Sequence, residues 1–124
     1  LKWDNSEGEQ LIENYCNNKW VNSLVAVHAM GLYTAQYGKC PITDLPLSDG
    51  FDIHHKDAKS NSGSDKYINL VMLNEYAHKL VHSSNKETIQ RYIKLIKNLG
   101  GKINKAYLNK LRKMLNLEPI MIMP

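Results

Sequence analysis

The chain has 124 residues, 43% hydrophobic and 23% charged, with a formal net charge of +4. That length supports one domain with a modest core, and that composition excludes a disordered or low-complexity chain. No apolar run approaches the roughly 20 residues that span a bilayer, and the start lacks the basic-then-apolar pattern of a signal peptide, so a membrane partner is not expected and a cytoplasmic location is.

The first residue is Leu1 rather than Met, so the chain reads as a piece of a longer protein. Its two cysteines, Cys16 and Cys40, fit a reducing compartment better than a disulfide scaffold, although pairing between them stays open. Charge is unevenly spread. Residues 1–85 carry seven Lys/Arg against ten Asp/Glu, a net of −3, whereas residues 86–124 carry nine against two, a net of +7. A basic end points toward a polyanion, with a solvated lysine face as the equal alternative.

In chain order, residues 6–37 read as helix. Ser6 with Glu9 fits a capping box, and Leu11, Ile12, Tyr15, Cys16 and then Val21, Leu24, Val25, His28 and Leu32 follow helical spacing. Asn17-Asn18 is a possible interruption and Gly38 the expected C-cap. His28 lies on the apolar stripe and reads as a packed histidine. Asp49-Gly50 is expected to be a hairpin turn, because Gly takes positive φ freely. Phe51 to Lys56 reads as a strand, 57–67 as a polar loop, and Asn69 to Leu73 as a second strand buried on both faces. Residues 75–82 read as helix with Asn74 as N-cap. Two amphipathic helices follow, one carrying Ile89, Tyr92, Ile93, Ile96 and Leu99 up to Gly100-Gly101, the other Ile103, Tyr107, Leu111, Met114 and Leu115. The tail, Glu118 to Pro124, either docks as an extended segment or frays. Trp3 and Trp20 read as core aromatics rather than base-stacking ones.

Four of the five histidines fall between Phe51 and His82: an adjacent pair, His54-His55, and a pair at helical spacing, His78 and His82. Four residues of separation put both imidazoles of the second pair on one helix face, one turn apart, where they can share an ion. Each pair alone is weak. Together, with Asn69 and the Gly63–Asp65 turn between them, they are far more specific. Strand alternation sends His54 and His55 to opposite faces, so both serve one site only if the strand ends or bends there.

Residues 37–82 resemble the HNH family of nucleases, which have the ββα-metal fold. The matching pieces are His54-His55, the SGSD turn at 62–65, Asn69-Leu70-Val71 and His78-Lys79-Leu80-Val81-His82. The wider phrase YGKCPITDLPL…IHHK…GSDKYINLV…HKLVH is similar to the C-terminal endonuclease domain of group II intron reverse transcriptase/maturases, as is the later LNKLRK. The resemblance implies an α+β fold, a short two-stranded hairpin plus helix flanked by N-terminal and C-terminal helices. It divides the chain into a helical segment (1–36), a ββα-metal core (37–84) and basic helices (85–124), all in one compact domain. It implies that His54, His78 and His82 hold one divalent metal (Mg²⁺, Mn²⁺, Ni²⁺ or Zn²⁺), that His55 is the general base, and that Asn69 ties down the loop so that His55 points correctly. Duplex DNA is the implied substrate, with intron RNA reached through the parent protein and the isolated chain a monomer. Lys56, Lys79, Arg91, Lys94, Lys97, Lys102, Lys105, Lys110, Arg112 and Lys113 are the expected phosphate contacts.

The chain departs from many relatives in one respect. Where they carry two CxxC knuckles, it has Cys40 with Thr43, and Asn74 with Ala77. One thiolate does not hold a tetrahedral zinc, so packing is expected in place of a structural zinc. The proline usual shortly after the His pair is also missing, with Asp57 and Ala58 nearby. Asp52 and Asp57 read as solvent-facing or helix-contacting carboxylates rather than further ligands. Two other readings compete with the nuclease: a noncatalytic DNA-binding module with a relict metal site, and a free-standing homing endonuclease or nuclease toxin.

Overall fold

Leu70–Asn74 is a run of large aliphatic residues without alternation, and such a run needs cover on both faces and both edges. In the computed structural model, which describes residues 6–18, 23–57 and 65–121, it forms strand β2, buried at all five positions. Strand β1, Phe51–His55, pairs with it antiparallel, with His54 opposite Val71 and His55 opposite Leu70. On the outer edge a side chain substitutes for a third strand. The Gln36 amide accepts from the Met72 N–H and donates to the Met72 carbonyl, both at 2.9 Å.

Helix α3, Glu75–His82, follows β2 without a loop, started by Asn74, whose Oδ1 accepts from the Tyr76 N–H at 2.9 Å. Around this strand–loop–strand–helix unit lie α1 (Ser6–Asn18), α2 (Ser23–Ala35), α4 (Lys86–Asn98) and α5 (Lys105–Met114). Five helices and one antiparallel hairpin make the described residues an α+β fold. The core runs from Val25, Ala29 and Leu32 of α2 through the hairpin to Leu80 and Val81 of α3, Ile96 of α4 and Leu108 and Leu111 of α5.

Several details differ from the sequence expectations. The stretch 6–37 holds two helices, the first ending at Asn18, where Asn17-Asn18 offered an interruption. The second closes on Tyr37 and Gly38 together, both at positive φ (54° and 67°), with the Gly38 N–H returning to the Tyr33 carbonyl. Asp49-Gly50 is not a hairpin turn. Leu47–Asp49 is a 3₁₀ turn, and Gly50, at φ 123° and ψ 133°, leads the chain straight into β1, whose partner comes later in the chain. Asn69 belongs to a 3₁₀ turn, Tyr67–Asn69, rather than to β2. Gly100-Gly101 does end α4, with Gly100 at φ 84° and Gly101 N–H bonded to the Ile96 carbonyl, but Leu99 is exposed there instead of joining the stripe. The tail docks as an extended segment through Ile120, whose N–H and carbonyl are both held by the Asn109 amide. Cys40, Thr43, Asn74 and Ala77 are all buried, and both Cys16 and Cys40 are free thiols. His28 is half-buried, its ring edge-on to Tyr67. No helix among the described residues is long and apolar enough to cross a membrane. Trp3, Trp20, Val21, the turn at 62–64, Ala58 and the end of the tail lie outside the described residues, as do the side chains of Ser6 and Leu24.

Candidate metal centre

His54 is fixed by strand pairing and His78 and His82 by one turn of α3, and packing of α3 on the hairpin brings the three rings together. Ring centroids lie 5.2 Å apart for His54 and His78, 5.1 Å for His54 and His82, and 4.7 Å for His78 and His82. One nitrogen from each lies within 4.8 Å of the others, so the group could hold a metal ion.

Three observations test that fit. First, His54 is 2% exposed and its Nε2 is buried without a hydrogen-bond partner. An orphaned buried polar atom costs about 1–3 kcal/mol, and a ligand there would remove that cost. Second, the Nε2 atoms of His78 and His82 are 3.0 Å apart, within the roughly 2.9–3.4 Å expected of neighbouring ligands bonded to one ion at about 2.0–2.1 Å. Third, burial, aided by the neighbouring imidazoles, lowers the His54 pKa to about 3, and burial also lowers that of His82. Metal binding needs neutral imidazole, and this environment supplies it. The residues fit a metal ion.

Asp52 is the helix-contacting carboxylate that its sequence reading allows, and its partner on α3 is one of the three imidazoles. Asp52 Oδ2 lies 3.1 Å from His78 Nδ1, the carboxylate–histidine arrangement that fixes ring orientation and tautomer in metal sites. Two residues before His54 on the same strand, Asp52 shares its face by alternation, and the packing of α3 supplies its partner. Asp52→Ala is expected to weaken Zn²⁺ binding about 10- to 100-fold, read by competition titration against a chromophoric chelator. An unchanged affinity would remove Asp52 from the centre.

The His54 environment also sets a pH dependence for the metal-free chain. Folded His54 resists protonation down to about pH 3, whereas the unfolded chain takes up that proton near 6.5. The unfolded state binds the extra proton between those values, so stability is intact above about 6.5 and falls as pH drops toward about 3. The expected slope is at most about 1.4 kcal/mol per pH unit for this one group. Urea midpoints in EDTA across this range test it; midpoints that rise on acidification would contradict a buried neutral ring.

His55 sits at the last position of β1, paired with Leu70, and the backbone bends only after it, through Lys56 and Asp57, while the imidazoles that converge are His54, His78 and His82. Its Nε2 is 2.7 Å from Asp65 Oδ1. Asn69 Oδ1 accepts from the Asp57 N–H at 2.9 Å and Asn69 Nδ2 donates to the Asp57 carbonyl at 3.2 Å, closing the loop at its base. Gln36, Asn69 and Asn109 thus share one device: a primary amide that grips the N–H and C=O of a single residue, as a paired strand would.

Beside the imidazoles a shallow cavity of about 360 Å³ is lined by His78, Lys79, His82, Ser83 and Thr88. Among the expected phosphate contacts, Lys79, Arg91, Lys94, Lys97, Lys102, Lys105, Lys110 and Lys113 are exposed, and Lys56 is half-exposed with its Nζ donating to the Ile68 carbonyl. Arg112 must be withdrawn from that set. It is 2% exposed, and its guanidinium donates to the carbonyls of Leu80, Ser83 and Glu118 at 2.6, 2.6 and 2.7 Å. Its place four residues after Leu108, on the apolar side of α5, was the overlooked signal.

Comparison of the chain with protein-family models, with curated proteins and with solved structures found no significant match.

Proposed function

We propose that the chain is an HNH-type endonuclease domain with a ββα-metal core, which hydrolyses a phosphodiester of duplex DNA to a 5′-phosphate and a 3′-hydroxyl. By the resemblance of its motifs, it is the target-cleaving domain of a group II intron-encoded protein, a cytoplasmic chain reached by intron RNA through the rest of that protein. The observation that carries the reading is the convergence of His54, His78 and His82 within a strand–strand–helix unit, next to an open cavity, with His55 following His54 in the sequence.

His54, His78 and His82 would hold the divalent ion. When bound, it supplies Lewis-acid stabilisation of charge on the phosphoryl group and on the departing 3′ oxygen. Three imidazoles suit zinc, nickel or manganese better than magnesium. The chain's own residues do the rest. His55 takes a proton from the attacking water as the water oxygen bonds to phosphorus and the bond to the 3′ oxygen breaks. Asn69 holds the loop behind His55 by its two bonds to Asp57. Lys79 lies on the cavity wall and would meet a phosphate oxygen, and the exposed lysines of α4 and α5 would add affinity that carries little sequence information and falls with salt.

The test is metal-dependent nicking of supercoiled duplex DNA by the wild type and by His55→Ala, with Mg²⁺, Mn²⁺, Ni²⁺ and Zn²⁺ supplied separately. Wild type is expected to nick with at least one ion, and His55→Ala to lose about 10²- to 10⁴-fold in rate with its metal affinity kept. A wild type that binds DNA and metal yet cuts with none of the four ions would instead make this a noncatalytic binding module.

A further inference from the structure

We propose that Asp65 is a positioning residue for His55, holding its ring by a carboxylate–imidazole hydrogen bond in the tautomer that leaves Nδ1 free to accept a proton. The inference rests on the reading of His55 as the base.

The two residues come from opposite ends of the loop between the strands. His55 is the last residue of β1, and Asp65 precedes the 3₁₀ turn that leads into β2. Their separation, 2.7 Å between Nε2 and Oδ1, is at the short end of the range for a charge-assisted bond. Both side chains are largely covered, His55 at 24% and Asp65 at 13% exposure, so water competes weakly for the contact. An ionised carboxylate only accepts hydrogen bonds. A neutral His55 facing it at this distance therefore carries its proton on Nε2. The other ring nitrogen, Nδ1, then holds the lone pair, and which nitrogen is protonated decides which one acts as base. Asn69 has a separate job: it fastens Asp57 at the foot of the loop, while Asp65 reaches the ring itself.

Two measurements on the full chain test this. The first needs neither DNA nor a variant. Long-range ¹H–¹⁵N correlation spectra of the Zn²⁺-loaded protein resolve five histidines. His55 is expected as a single Nε2–H tautomer, shifting to a mixture in Asp65→Asn, whose amide can also donate to the ring. The second is a cycle of nicking rates. Asp65→Asn is expected to lower kcat about 10²-fold, with KM and Zn²⁺ affinity within about twofold, and to add less than about twofold in the His55→Ala background, because a residue acting only through His55 has nothing left to position. An Nδ1–H tautomer in the wild type overturns the proposal, as does a full additive loss in the His55→Ala background. Absence of nicking by the wild type would defeat the nuclease reading, and the tautomer would still decide on Asp65.

Discussion

His82→Ala is expected to abolish metal binding at concentrations where the wild type is saturated, with nicking lost in parallel. Substituting a residue that only hydrogen-bonds a metal ligand costs about 10- to 100-fold in affinity, and His82 is one of only three imidazoles in the group that could hold the ion, so its loss should exceed about 100-fold. Stability gives a second readout. A ligand at about 100 times its dissociation constant stabilises the folded state by about 2.7 kcal/mol. For a domain of this length that corresponds to a rise in Tm of roughly 10 °C. Zn²⁺ is therefore expected to raise Tm by about that amount in the wild type and by almost nothing in His82→Ala. His82 is exposed at the end of α3, so the variant should fold, and its metal-free Tm should stay near the wild-type value. A variant that still binds zinc as tightly as the wild type would mean that the three rings do not share an ion.

Arg112→Met is expected to destabilise the fold strongly, and its loss should be one of stability rather than of DNA affinity. The Arg112 guanidinium ties the Leu80 carbonyl, the Ser83 carbonyl just beyond α3 and the Glu118 carbonyl of the tail to α5. Methionine keeps much of the volume but leaves these acceptors without their donor, the Leu80 carbonyl in a fully buried position. At about 1–3 kcal/mol per orphaned buried acceptor, with the two less buried carbonyls discounted, the cost is about 3 kcal/mol or more. The matching fall in Tm is on the order of 10 °C. Lysine should rescue less than half of it, since an ammonium lacks the planar fork that reaches carbonyls in several directions. Because the contacts hold the end of the helix that carries His78 and His82, zinc affinity should weaken as well. A shift in Tm below about 3 °C would show that solvent satisfies these carbonyls after all.

What could be read from the linear chain was whatever depends on spacing and local chemistry. The i, i+4 interval of His78 and His82 puts them on one face of any helix. Asn74 caps that helix because a short amide side chain reaches a free backbone N–H two residues on. The unbroken aliphatic run of β2 demands burial wherever it lies, and all five of its positions are buried. The Gly100-Gly101 stop and the amphipathic stripes of α4 and α5 follow from the same local rules, though the stripe of α4 ends at Ile96 and leaves Leu99 exposed. The tertiary structure alone decided which distant groups meet. It brought His54 against the α3 pair, set Asp52 on His78, carried Asp65 to His55, sent the amides of Gln36, Asn69 and Asn109 to backbone partners, and buried Arg112 among lysines that stay in water. The physical reason is reach. Backbone periodicity fixes the direction of a side chain within its own element, but its partner is chosen by how elements pack, and packing is a property of the whole chain at once.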